Sequence, residues 1–353
     1  MDKITLATLI SFFVAVLSTS ITIKLARKFG IVDDVRKRPH PANTHKGIIP
    51  RAGGLPIIIA VLFASLFFIN INKLILGILI GSVLIFIIGI LDDIYDLSPY
   101  IRFISSILII IFVVSFGLGI PYITSPLGGV IHLDQNYLSF NFFGDHTFLI
   151  WANLLSVFWI LLLMNIVSWS SGVDGQLSGF VMISCFVLGL LALRFSAHDI
   201  NKIEVAILAF IVGSSYMGFL PWNFYPQKIM PGYSGGALAG YFLGVLSILS
   251  WGKIGTLVLL LSIPLIDSFF VLSARIKNKK SPFKGDANHF HHRLLKIGWG
   301  RRRIAVFYWI VSLVFGLSAL FMQSDRKYIV LVFVFVLIGL FIIVTNKIRE
   351  LHI

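Results

Sequence analysis

Runs of about 17 to 22 apolar residues recur along the whole chain, each long enough to cross roughly 30 Å of hydrocarbon as a helix. A chain that must take so many such runs out of water has few folds open to it. Its 353 residues are 58% hydrophobic and 12% charged, with 32 Phe and 7 Trp, which is not the composition of a soluble domain. The expected fold class is an all-α polytopic membrane protein, a single integral membrane domain over residues 1–353.

Eleven runs qualify as spans, near 4–23, 55–70, 73–91, 101–120, 148–166, 179–194, 203–220, 235–250, 254–274, 304–322 and 328–346. The first lacks the basic flank and small-residue cleavage site of a signal peptide and is read as a retained helix. With the N-terminus outside and the C-terminus in the cytoplasm, 22 of the 29 Lys and Arg residues fall on the cytoplasmic side, as the positive-inside rule requires. The net charge of +14 is then a matter of topology and of attraction to the anionic lipid bilayer, and calls for no nucleic acid. Cys185, the only cysteine, lies in an apolar run and is read as a small core hydrophobe. Segment 121–147 carries short alternating runs punctuated by Gly and Asp, and a small extracytoplasmic β-hairpin is expected there.

The chemically interesting residues lie in five loops on the cytoplasmic side. Asp92, Asp93 and Asp96 sit where the third span ends; on a continuing helix Asp92 and Asp96 share a face, with Asp93 about 100° away. Three carboxylates at an anionic surface repel one another unless cations or a diphosphate-bound Mg²⁺ compensate them; the bland reading is a solvated helix end. Lys46 and Arg51 precede Gly53 and Gly54 at the start of the next span, an arrangement suited to phosphate, although positive-inside charge and a helix start explain it too. Asp174 stands between glycines at the mouth of a span, where a carboxylate ligates a metal or caps a helix. Asp267, inside a span after Pro264, is costly there and is expected to serve function or to pair with Arg275. Residues 289–293 read H-F-H-H-R; with no cysteine nearby and many cations around them, His289, His291, His292 and Arg293 suit an anion such as a nucleotide diphosphate better than a transition metal.

Together "HKGIIPRAGG", "GILDDIYDLS" and "PLIDSFFVLSARIKNKKSPFKGDANHFHHRLLKIG" resemble, in order and spacing, the cytoplasmic motifs of the polyprenyl-phosphate N-acetylhexosamine-1-phosphate transferases, glycosyltransferase family 4. The third stretch is more similar to the branch using UDP-N-acetylglucosamine than to the one using UDP-MurNAc-pentapeptide. The resemblance implies transfer of a sugar-1-phosphate from a UDP-N-acetylhexosamine to polyprenyl (undecaprenyl) phosphate with release of UMP, the first membrane step of cell-envelope polysaccharide assembly. It implies Mg²⁺ as cofactor, with Mn²⁺ as a substitute, a bacterial-type cytoplasmic (inner) membrane and a homodimer.

By that resemblance Asp92 and Asp93 take the acidic catalytic roles, one of them as base toward the lipid phosphate. Lys46, Arg51, Asp96, Asn165, Asn223, Asp267, His289, His291, His292 and Arg293 bind substrate, and Asp174 with Asp93 holds the metal. The chain departs from the pattern at Ser168 and Ser171, where Asn and Asp are usual, and at Tyr233, which stands at the aspartate expected to ligate Mg²⁺. Those departures keep a second reading open, a catalytically impaired relative that binds lipid phosphate or nucleotide sugar without turnover. A transporter is a third; it fits poorly with polar residues gathered in loops rather than at mid-membrane.

Overall fold

The computed structural model describes residues 2–36, 44, 47–125, 129–141, 145–194, 201–250, 254–281, 287–322 and 324–351. The apolar runs form helices α1 (Lys3–Lys28), α2 (Gly54–Phe68), α3 (Lys73–Tyr95), α4 (Pro99–Val114), α5 (Ile150–Trp169), α6 (Gln176–Arg194), α7 (Asn201–Asn223), α8 (Gly232–Leu249), α9 (Ile254–Leu260), α10 (Ser262–Lys277), α11 (Phe290–Lys296), α12 (Arg301–Phe321) and α13 (Ser324–Leu351). Among the described residues, seven of these are long and apolar enough to cross a membrane, and the α9–α10 pair makes an eighth if counted as one span. A polytopic helical membrane protein is therefore what the chain builds. At 15 and 16 residues, α2 and α4 fall short of the roughly 20 that a full crossing takes.

Each expected span has a helix, with one correction. The run 254–274 is not a single rod: α9 and α10 meet at an 80° bend beside Leu261. Pro264, in the first turn of α10, is tolerated there because a first-turn amide has no intrahelical acceptor to lose.

Short antiparallel pairs connect the helices. Strands β1 (Val32–Asp34) and β2 (Ile48–Pro50) pair Asp33 with Ile49. Segment 121–147 yields two pairs rather than one hairpin: β3 (Tyr122–Thr124) with β4 (Val130–His132), and β5 (Tyr137–Asn141) with β6 (Asp145–Leu149).

The core is organised around α8, in which every residue from Ser234 to Ile248 is buried. It packs against α3 and α5, with α2, α6 and α7 also in contact. Without a hydrophobic drive between helices in lipid, small residues allow the close approach that dispersion needs. Gly236, Gly240 and Gly244 form one face of α8, laid antiparallel against Ser168, Leu163 with Met164, and Ile160 of α5. A methyl group at Gly240 would come within 2.4 Å of the Leu163 carbonyl oxygen. This packing sets the N-terminus of α8 beside the C-termini of α3 and α5, where the polar residues gather.

Candidate active site

The last turn of α3 carries Asp92 and Asp93, each 1% exposed, and the helix ends at Asp96, whose φ of 49° is left-handed. Asp93 faces the N-terminus of α8. Its Oδ1 accepts from the amide of Tyr233 at 2.7 Å, and its Oδ2 from the amide and hydroxyl of Ser234 at 3.2 and 2.5 Å. The carboxylate thus satisfies first-turn amides that have no helical partner, and it sits at the positive end of the helix dipole. Gly232, with φ of +68°, is required beside it: a Cβ there would stand 2.4 Å from Asp93 Oδ2.

Two guanidinium groups neutralise the acids. Arg51, just after β2, commits one nitrogen to each carboxylate: Nε lies 3.2 Å from Asp93, Nη1 3.0 Å from Asp96 and Nη2 3.7 Å from Asp92. Burial works to lower the Arg51 pKa, but Asp93, Asp96 and Asp92 together outweigh it and raise the value above the ordinary one. Arg102, in the first turns of α4, donates from Nη1 to Asp92 Oδ2 at 3.2 Å, and its guanidinium lies 4.8 Å from the centre of the Tyr233 ring. Ser106 stands beside the Tyr233 hydroxyl. Asp92 Oδ1 is buried without a hydrogen-bond partner among the described residues.

The histidines form a second cluster. Asp267 gives Oδ2 to His289 Nδ1 and Oδ1 to the Phe290 amide, both at 2.8 Å, so both oxygens of this buried carboxylate hold the histidine loop to α10. His289 and His291 stack with rings 2° from parallel and centroids 5.8 Å apart, and His292 lies 4.3 Å from His291. His291 is 1% exposed. Burial, aided by His292 and His289, lowers its pKa well below the ordinary 6.5, so the imidazole is neutral. At this position of the expected anion site, His291 offers a neutral ring whose Nδ1 has no partner among the described residues. Arg293 Nε bonds the Asn288 carbonyl at 2.9 Å.

One turn joins the clusters. The segment between α5 and α6 places Gly172 against the His291 ring, with no room for a Cβ between them, while the Gly172 carbonyl accepts from Thr44 Oγ1 at 2.7 Å. One helical turn before that segment, Ser168 lies against Gly236 of α8. Asp174 Oδ2 accepts from the Gln227 amide at 3.3 Å and lies 3.7 Å from Arg301, and its Oδ1 has no partner among the described residues. Acidic pair, central turn and histidines therefore lie at one end of the bundle, as the loop positions imply.

Two expected substrate contacts are committed to the fold. Asn223 accepts from Ser178 Oγ at 2.8 Å and donates to the Ile229 carbonyl and Gln227 Oε1, bracing the loop after α7. Asn165 donates to the Leu161 carbonyl of its own helix. Lys46 lies outside the described residues. Sequence reasoning missed Arg102, although the one cation soon after "LDDIYDLS" was visible, and Ser234, which carries no signal of its own.

The Mg²⁺ implied by the resemblance can be tested against these donors. A carboxylate has about four lone-pair directions; those of Asp93 are filled by Arg51, Tyr233 and Ser234. One oxygen of Asp174 is taken, and among the described residues no three His, Cys, Asp or Glu side chains group as a metal would need. Asp93 and Asp174 as placed do not fit a protein-held divalent cation.

Comparisons with known proteins identify the family. Residues 75–251 match the model of glycosyl transferase family 4. The chain is 30% identical over 346 residues to a probable undecaprenyl-phosphate N-acetylglucosaminyl 1-phosphate transferase of Bacillus subtilis, covering 96% of this chain and 90% of that protein. It is similar to undecaprenyl-phosphate alpha-N-acetylglucosaminyl 1-phosphate transferases of Thermotoga maritima (28% identity, 89% of each chain) and Escherichia coli (26%, 80% of this chain and 74% of that one). With its helical bundle and the acidic pair at the head of α8, the chain belongs to glycosyl transferase family 4.

Proposed function

We propose that the protein transfers N-acetylglucosamine-1-phosphate from UDP-N-acetylglucosamine to a polyprenyl phosphate, releasing UMP, as the first membrane step of a cell-envelope polysaccharide. It would work in a bacterial cytoplasmic membrane with its N-terminus outside, its C-terminus and site facing the cytoplasm, about eleven apolar segments, the β pairs of segment 121–147 outside, and a second copy as partner. The relatives' names support the substrates. The observation that carries the chemistry is Asp92, buried between Arg51 and Arg102 with one oxygen unpartnered among the described residues.

A phosphate oxygen of the lipid attacks the β-phosphorus of the UDP-sugar; the bond from that phosphorus to the bridging oxygen breaks, and UMP leaves with the oxygen. Asp92 Oδ1 takes the proton of a monoanionic lipid phosphate and orients its attack. Arg102 and Arg51 hold the phosphates and meet the charge that builds on the leaving UMP. Asp93 does not touch substrate in this scheme and sets the position of Arg51 and the α8 terminus. The histidine cluster receives the nucleotide sugar, with His291 as a neutral hydrogen-bonding ring.

The test is UMP release by purified protein supplied with polyprenyl phosphate and a panel of UDP-N-acetylhexosamines. Lipid-dependent release with UDP-N-acetylglucosamine is expected. Binding of the sugar nucleotide without release would favour the impaired relative instead.

A further inference from the structure

We infer that two fixed guanidinium groups, Arg51 and Arg102, occupy the place of a protein-held divalent cation at this acidic cluster and grip the substrate phosphates directly. The inference rests on the transferase reading for its substrate, and on the local geometry for everything else. Asp92, Asp93 and Asp96 bring three negative charges to one helix end, and Arg51 touches all three while Arg102 pairs with Asp92. The array is therefore close to neutral without a metal.

Both guanidiniums keep capacity for a ligand. Their side chains are 20% and 28% exposed, against 1% or less for Asp92 and Asp93, so the open face of the cluster is made by the two cations together with Asp96, which is half exposed, while the acidic pair lies beneath it. A guanidinium has five N–H donors; Arg51 directs one nitrogen at each acid, which leaves a second N–H on each terminal nitrogen, and Arg102 commits Nη1 alone to Asp92. Planar forks of this kind match phosphate oxygens in pairs.

Tyr233 stands where the resemblance leads one to expect an aspartate, and it supports the arrangement. Its ring lies 4.8 Å from the Arg102 guanidinium, within cation–π range, and its amide caps Asp93. A phenol with an ordinary pKa near 10 is a poor ligand for a hard cation, but it is a good platform for a guanidinium. Tyr233 thus positions Arg102 where a carboxylate would instead compete for it.

Two measurements on the full-length protein in detergent decide this. The first is Mn²⁺ binding followed by electron paramagnetic resonance, with no substrate present. Wild type is expected to show no stoichiometric site, and Tyr233→Asp to gain one that Mg²⁺ displaces. The second is UMP release with excess EDTA, expected to fall by less than about threefold in wild type, with Tyr233→Phe retaining activity and Tyr233→Leu losing it through a raised KM for both substrates. A stoichiometric Mn²⁺ site in wild type that Asp92→Asn removes would overturn the inference, as would EDTA abolishing release with recovery on Mg²⁺. Absence of UMP release in every condition would count against the transferase reading, and the Mn²⁺ titration would still decide the guanidinium one.

Discussion

Asp93 Oδ1 accepts the backbone amide of Tyr233 at 2.7 Å across 140 residues of sequence, so the carboxylate ending one helix closes the start of another. That contact, with the Ser234 and Arg51 bonds, converts an acidic motif into a rigid joint. Sequence reasoning takes Asp93 as a catalytic or metal-binding group, and its bonds to Tyr233, Ser234 and Arg51 give it a structural part as well.

Asp93→Asn should therefore unfold more easily as well as lose activity. The substitution strips the charge opposite Arg51 and turns one acceptor oxygen into a donor facing amides. Breaking a buried ion pair from one side costs about 3 kcal/mol or more, which thermal unfolding in detergent would register as a clear drop in midpoint.

Asp92→Asn separates chemistry from scaffold. The shape of the side chain stays, while Oδ1, the unpartnered oxygen, loses its basicity. UMP release should fall by about 10²-fold or more, the usual worth of a general base, with KM values within a few-fold of wild type. A drop confined to KM would remove Asp92 from the proton-transfer role.

Much of this architecture is legible in the sequence, and the limits have physical causes. Apolar length reports the spans directly, because the bilayer fixes the length required; α3, α5 and α6 are found within a few residues. The bend at Leu261 is hidden, since a broken helix and a straight one bury the same apolar run, and Pro264 is the one available sign. Motif spacing brings out Asp92, Asp93 and the histidines. What it cannot supply is which lone pairs are already spent: Asn223 and Asp267 read as ligand contacts until their partners, Ser178, Ile229, His289 and Phe290, are seen.

The histidine cluster gives a pH dependence. Burial lowers the His291 pKa in the folded protein, so below the free imidazole value of about 6.5 the unfolded chain binds a proton that the folded one refuses. Stability should be unaffected by this group above that pH and should decline as pH falls below it. Unfolding midpoints measured from pH 7.5 to 5 should drop less in His291→Gln than in wild type.

Kinetics test the role of the same residue. His291→Ala should raise the KM for the UDP-sugar more than the KM for lipid phosphate, because the ring stacks with His289 and His292 in the loop assigned to the nucleotide sugar. Equal increases for both substrates would place the histidines in general positioning instead of nucleotide recognition.

Gly240→Ala tests the packing on which the site stands. The added methyl would meet the Leu163 carbonyl oxygen and Met164 Cα, each at 2.4 Å, and both belong to the backbone of α5, which cannot rotate aside as a side chain would. Relief requires α5 and α8 to separate, and overpacking of this kind costs about 1–3 kcal/mol. Separation at Gly240 also shifts Ser168 from Gly236 and loosens the turn that carries Gly172 against His291. The variant should therefore show a lower unfolding midpoint together with a higher KM for the UDP-sugar, though no functional group has been touched. A lower midpoint with unchanged KM would mean that the site is held by its loops and not by the α5–α8 contact.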